Sequence, residues 1–70
     1  MRYARNLDTR WAHIMAIPGK RERCKQILRI IKEVESVLII MKKVKEQESE
    51  IEDAIIVMER WYKRHWRAGR

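Results

Sequence analysis

Between Lys20 and Glu48 the chain has no glycine or proline, and Ile27, Ile30, Ile31, Val34, Val37, Leu38, Met41 and Val44 recur every three or four residues. That is the period of an amphipathic α-helix, and at 1.5 Å per residue such a helix is roughly 40 Å long. From Glu50 to about Arg67 the pattern returns, with Ile51, Ala54, Ile55, Met58, Trp61 and Tyr62 on one face. Upstream lies the one strong breaker pair, Pro18-Gly19. Before it, Asp8 or Thr9 is expected to cap a helix of about two turns that carries Trp11, Ile14 and Met15 on one side. The fold class expected is therefore all-α. Residues 1–70 read as a single small domain: a short helix and arm over 1–18, a long helix over 20–48 and a second long helix over 49–67.

How the two long segments relate is less constrained. Ser49-Glu50-Ile51-Glu52 matches a capping box, in which the serine hydroxyl accepts from the Glu52 N–H and the Glu52 carboxylate accepts from the Ser49 N–H. This favours a new helix at Ser49 and a helical hairpin. Against it, Ile30, Val34, Val37, Met41, Val44, Glu48, Ile51, Ile55, Met58, Tyr62 and His65 follow alternating steps of four and three without a break. Such a seam fits one continuous helix in a coiled coil. The short N-terminal helix followed by a long helical hairpin is the preferred reading; the continuous rod is the alternative.

The runs Val37-Leu38-Ile39-Ile40-Met41 and Ala54-Ile55-Ile56-Val57-Met58 bear on assembly, because five consecutive apolar residues encircle a helix and one neighbour cannot cover them. A chain of this size also buries too little surface for a large private core. A homodimer or higher oligomer is expected, a dimeric helical bundle joined through Val37, Leu38, Ile40, Met41, Ile51, Ile55 and Met58. Its copies are expected to lie antiparallel, each basic end beside the other's acidic turn. The competing reading is a three-helix monomer in which the N-terminal helix covers the leftover surface.

Little here suits catalysis. With only Gly19 and Gly69 there is no phosphate-cradling glycine loop, and Ser36 and Ser49 have plainer roles on or at the start of a helix. Cys24, His13 and His65 have no helical ligand spacing and no nucleophile motif around them. The acids Glu46, Glu48, Glu50, Glu52 and Asp53 gather at the proposed turn, where a helix N-terminus favours negative charge. No enzyme, cofactor, metal or small-molecule substrate is expected. The best membrane candidate, residues 27–44, carries six charges, so no span is expected. The unpaired cysteine suits a reducing cytoplasm.

Charge distribution gives the functional lead. The net charge is +7. Residues 1–32 hold Arg2, Arg5, Arg10, Lys20, Arg21, Arg23, Lys25, Arg29 and Lys32 against Asp8 and Glu22 alone. Residues 33–59 are net acidic, and Arg60, Lys63, Arg64, Arg67 and Arg70 close the chain without an acid. All five aromatic rings lie in the basic blocks: Tyr3, Trp11, Trp61, Tyr62 and Trp66. Cations alternating with rings can neutralise phosphates and stack on bases. The expected partner is nucleic acid, contacted by Lys20, Arg21, Arg23, Lys25, Arg60, Lys63, Arg64 and Arg67, with Trp61 or Trp66 as the stacking ring. The other candidate is an acidic surface on a larger protein complex, to which the basic, aromatic end would dock as an adaptor or inhibitor.

Overall fold

The computed structural model describes residues 2–69; residues 1 and 70, the two ends of the expected domain, lie outside it. Among the described residues there are three helices and no strand: α1 (Arg2–Met15), α2 (Lys20–Lys45) and α3 (Glu52–His65). Short 3₁₀ turns occupy Ser49–Ile51 and Trp66–Gly69. The all-α class expected from the apolar period is the class observed, and among the described residues no helix is long and apolar enough to cross a membrane.

α1 is longer than its expected two turns. Neither Asp8 nor Thr9 caps it; both lie inside, and the Thr9 hydroxyl donates to the Arg5 carbonyl one turn back at 3.2 Å. The reason is a seam that starts earlier, Tyr3, Leu7, Trp11 and Ile14, whose spacing of four, four and three keeps one stripe toward the core. Leu7 is fully buried there.

α2 begins directly after Pro18-Gly19. Gly19 is extended, its carbonyl accepts from the Arg23 N–H at 2.9 Å, and the Arg23 guanidinium donates to the Ile17 carbonyl at 3.1 Å. Arg23 thus ties the linker to the helix it precedes. Lys42, Lys43 and Lys45 in the last turn suit the negative end of the helix dipole. The helix ends at Lys45, short of the expected Glu48, and the Gln47 and Glu48 N–H groups both donate to the Val44 carbonyl.

The expected capping box does not form. Ser49 opens a 3₁₀ turn and no side chain caps α3, which starts at Glu52. The Glu52 carboxylate instead accepts from Lys45 at 3.3 Å. That contact begins a ladder along α2: Lys45 with Glu52, Lys42 with Glu59 at 3.7 Å, and Glu35 with the Tyr62 hydroxyl at 2.6 Å. Residue numbers fall on α2 as they rise on α3, so the two helices run antiparallel.

Ile27, Ile30, Ile31, Val34 and Leu38 of α2 pack with Ile55, Met58 and Trp61 of α3, and Leu7 and Ile14 of α1 close this core. Leu38, Ile55 and Met58, expected between two copies, are therefore buried within one chain. Their spacing points them at the nearest apolar helix, and α2 and α3 supply it to each other. Trp11 meets Trp61 edge to face, with centroids 5.7 Å apart, and the His65 ring lies against both indoles at 4.3 and 4.6 Å.

α1 runs antiparallel to α2 and is held by Glu33. The Tyr3 hydroxyl donates to this carboxylate at 2.5 Å and the Arg10 guanidinium donates to both its oxygens, at 2.6 and 3.2 Å. Tyr3 and Arg10 are seven residues apart, two turns on the same face, so one acid bridges both. These partners hold the Glu33 carboxyl below its ordinary range. Burial, with the adjoining carboxylate, pushes the Tyr3 phenol up to about 12. α1 therefore covers the first half of α2 and stops. Beyond its reach on α2 Ile40 stays 60 % exposed, with Val44 also open to solvent; Ile39, at 58 %, and Ile56 lie on faces turned away from α1, and Val57 is open at its edge.

Candidate nucleic-acid interface

The first basic block sits at the end opposite the acidic turn, which carries Glu46, Glu48, Glu50, Glu52 and Asp53; the second runs along the middle of the molecule, since Glu59 pairs with Lys42 and the Tyr62 hydroxyl with Glu35. α2 supplies Lys20, Arg21 and Lys25 from its first turns, and α3 with the 3₁₀ turn after it supplies Arg60, Lys63, Arg64 and Arg67. All seven are exposed. Arg23 differs, being half-buried and engaged with the Ile17 carbonyl.

Three other cations are ion-paired, whereas Arg5, Arg29, Lys32 and Lys43 are, like these seven, without an acidic partner among the described residues. Among the described residues the ion pairs are Arg10 with Glu33, Lys42 with Glu59 and Lys45 with Glu52. None of the seven exposed basic residues has an acidic partner among the described residues. Exposed charges left unneutralised are the feature that attracts a polyanion.

The structure brings some of the expected residues together and leaves others apart. Arg60, Trp61 and Arg64 line one cleft with Ala4, Asp8 and Val57, where α3 meets α1. Trp66 lines another with Leu28, Ile31, Lys32, Glu35, Tyr62 and Gly69, between α2 and the C-terminal turn, and the Arg67 guanidinium lies 5.7 Å from its ring centre. Gly69 packs on Ile31 and Leu28. By that register the first two turns of α2, with Lys20, Arg21 and Lys25, extend past the C-terminal turn, while Arg60, Lys63 and Arg64 lie level with the middle of α2, so the two basic blocks do not meet side by side. Two cations missed in the expected set, Arg29 and Lys32, are exposed and continue the α2 block by steps of four and three from Lys25. That spacing was the signal for them.

The aromatic residues divide. Trp61 is 3 % exposed and its indole N–H, buried, has no hydrogen-bond partner among the described residues. It is a core side chain pinned by Trp11 and His65, and its face is not open to a base. Trp66 is half-buried. Burial, with the Arg64 charge beside it, lowers the His65 pKa below its ordinary value, only partly opposed by Asp8. No group of three His, Cys, Asp or Glu side chains gathers as metal ligands among the described residues.

Fold and surface together define a small all-α protein with exposed, unpaired cations at the start of α2 and along α3. Comparison with known proteins adds nothing to that description: no family model, curated protein or solved structure matches the chain.

Proposed function

We propose that this is a non-catalytic, basic helical protein that binds nucleic acid as an oligomer and acts as a regulatory protein. The observation that carries the reading is the set of seven exposed cations without acidic partners among the described residues, three at the start of α2 and four along α3 and the turn after it. The bases would be contacted little, because Trp61 is packed inside; phosphate contacts supply the affinity and shape supplies what selectivity there is. In this reading α2 and α3 form a helical hairpin whose remaining apolar surface is covered by a second copy.

Burial of Trp61 also favours a second reading, since a basic surface with few open rings suits an acidic protein groove as well as a phosphate backbone. There the chain is an adaptor or inhibitor of a larger complex. Mobility shift with purified protein and duplex or single strands, at 50 mM salt, separates the two. The nucleic-acid reading expects binding tighter than about 10 μM, ordinary for non-specific contact by so basic a protein, with log affinity falling linearly as log salt rises. No shift at that concentration refutes it, and nuclease-resistant capture of one acidic protein would then support the adaptor.

A further inference from the structure

The groove between α2 and α3 that seats α1 does not end where α1 ends. On α2, Gln26, Ile30 and Glu33 border α1. Steps of four, seven and eleven from Glu33 place Val37, Ile40 and Val44 on the same stripe, and Met41 is a step of four from Val37. On α3, Val57, Trp61 and Arg64 border α1; a step of three back from Val57 places Ala54 on that stripe. The continuation is thus walled by Val37, Ile40, Met41, Val44, Ala54 and Val57, all with surface open to solvent. It is about eight residues of α2 long, so roughly 12 Å, and more with the turn.

We infer that this open groove is the docking site for a second copy of the chain, laid antiparallel with its acidic turn reaching the N-terminal end of α1. This deepens the oligomer named in the proposed function by assigning it a surface and an orientation. Three observations choose the occupant. First, α1 already lies on this face at the basic end. A parallel pair would trap both α1 helices between the copies at one end, holding them apart by about two helix spacings of 8–10 Å while the open grooves are required to touch at the other. An antiparallel pair sets the two α1 helices at opposite ends and lets the grooves meet. Second, the charges match. Residues 46–53 carry Glu46, Glu48, Glu50, Glu52 and Asp53, of which only Glu52 is paired, with Lys45, among the described residues. The α1 terminus they would approach has no acid in its first turn and bears Arg5. Carboxylates near the unpaired N–H groups of a helix start are favoured by its dipole. Third, the groove is lined by apolar residues on both walls, as the interior of a four-helix bundle is, whereas the outer face of α1, with Arg5, Thr9 and His13, is polar. Ile39 and Ile56 belong to other stripes and take no part. The overlap is short, so the dimer falls in the small-interface class and dissociates in the micromolar range.

Sedimentation equilibrium of the full chain without nucleic acid tests the surface. The wild type is expected to be dimeric at about 100 μM, above the micromolar dissociation range of small interfaces. Ile40→Glu and, separately, Val44→Glu are expected to raise the dissociation constant at least about a hundredfold with unchanged far-UV circular dichroism, because both side chains are exposed in the single chain. Ile39→Glu and Ile56→Glu are expected to leave it unchanged. A wild-type monomer at roughly 300 μM, or equal loss of dimer in all four variants, overturns the assignment. Orientation is read in a Cys24→Ser background by bifunctional maleimide cross-linking of an Arg5→Cys, Glu48→Cys mixture. Joining of those two positions supports the antiparallel pair, and efficient joining of Ser49→Cys to itself refutes it. Nucleic-acid binding is measured separately, so a monomer that still shifts DNA or RNA overturns this surface and not the functional reading.

Discussion

His65 shows how one residue couples the basic part of α3 to the core. Its ring lies against Trp11 and Trp61, with Arg64 beside it on α3 and Asp8 facing it from α1. The folded chain holds its pKa below the ordinary 6.5, so the unfolded chain binds the proton more readily. Stability from this group is complete above pH 6.5 and is lost as pH falls toward the lowered value. Thermal unfolding is expected to show a lower Tm at pH 5.5 than at pH 7.5, and His65→Phe, which keeps a ring but cannot titrate, should remove much of that difference. The neighbouring Trp61→Ala substitution empties the centre of the core. Removing a large aromatic there costs about 3–5 kcal/mol. In a chain this small that is most of the available stability, so urea titration should find the variant largely unfolded at room temperature.

α1 is the element with the least redundant attachment. It contributes Leu7 and Ile14 to the core, sets Trp11 against Trp61 and His65, and is held at its polar edge by Glu33, through Tyr3 and Arg10. Because the Glu33 pKa is lowered in the fold, the stabilisation it gives is present above the ordinary carboxylate range near 4.3 and is lost as pH drops through the lowered value. Tyr3→Phe keeps the ring and removes one hydrogen bond, a loss toward the small end of about 0.5–1.5 kcal/mol because the site is partly exposed. Glu33→Gln weakens both attachments at once. Hydrogen exchange is expected to quicken in α1 for both variants, more for Glu33→Gln, while amides in the middle of α2 keep their protection. Equal loss of protection across all three helices would show that α1 does not open on its own.

At the scale of the whole molecule, charge is the organising quantity. The extents are 43 × 20 × 14 Å, close to the length of α2, so Lys20, Arg21 and Lys25 at its start and the acidic turn lie near opposite ends of a short rod, with the α3 cations between them. Screening over a Debye length of about 8 Å keeps those ends electrically distinct at physiological salt. If the exposed cations bind phosphates, the double substitution Arg60→Ala, Arg64→Ala should weaken binding to unrelated sequences alike. It should also reduce the magnitude of the log affinity against log salt slope by about 0.9 for each duplex phosphate no longer neutralised. Circular dichroism should stay unchanged, since both side chains are exposed.

Several features were legible along the sequence because they depend on neighbours within a few residues. The helical class, the break at Pro18-Gly19, the apolar stripe of α2 and the two-ended charge all follow from local spacing and composition. Other features depended on which helix lies against which. The capping box at Ser49 was sound as a local pattern, but Glu52 found Lys45 across the turn. Trp61 belonged to two patterns, three residues from Met58 on the apolar stripe and inside a basic, aromatic run; only packing against Trp11 decided for the core. Leu38, Ile55 and Met58 were apolar in a way that suited a partner copy or the chain's own helix equally, and packing of α2 on α3 placed them inside one chain. The early start of α1, with Tyr3 and Leu7, set how far it reaches along α2, and so which apolar residues remain open. Periodicity determines that a helix has a face to bury; only the relative lengths and register of the helices determine what covers that face, because these depend on segments far apart in the chain.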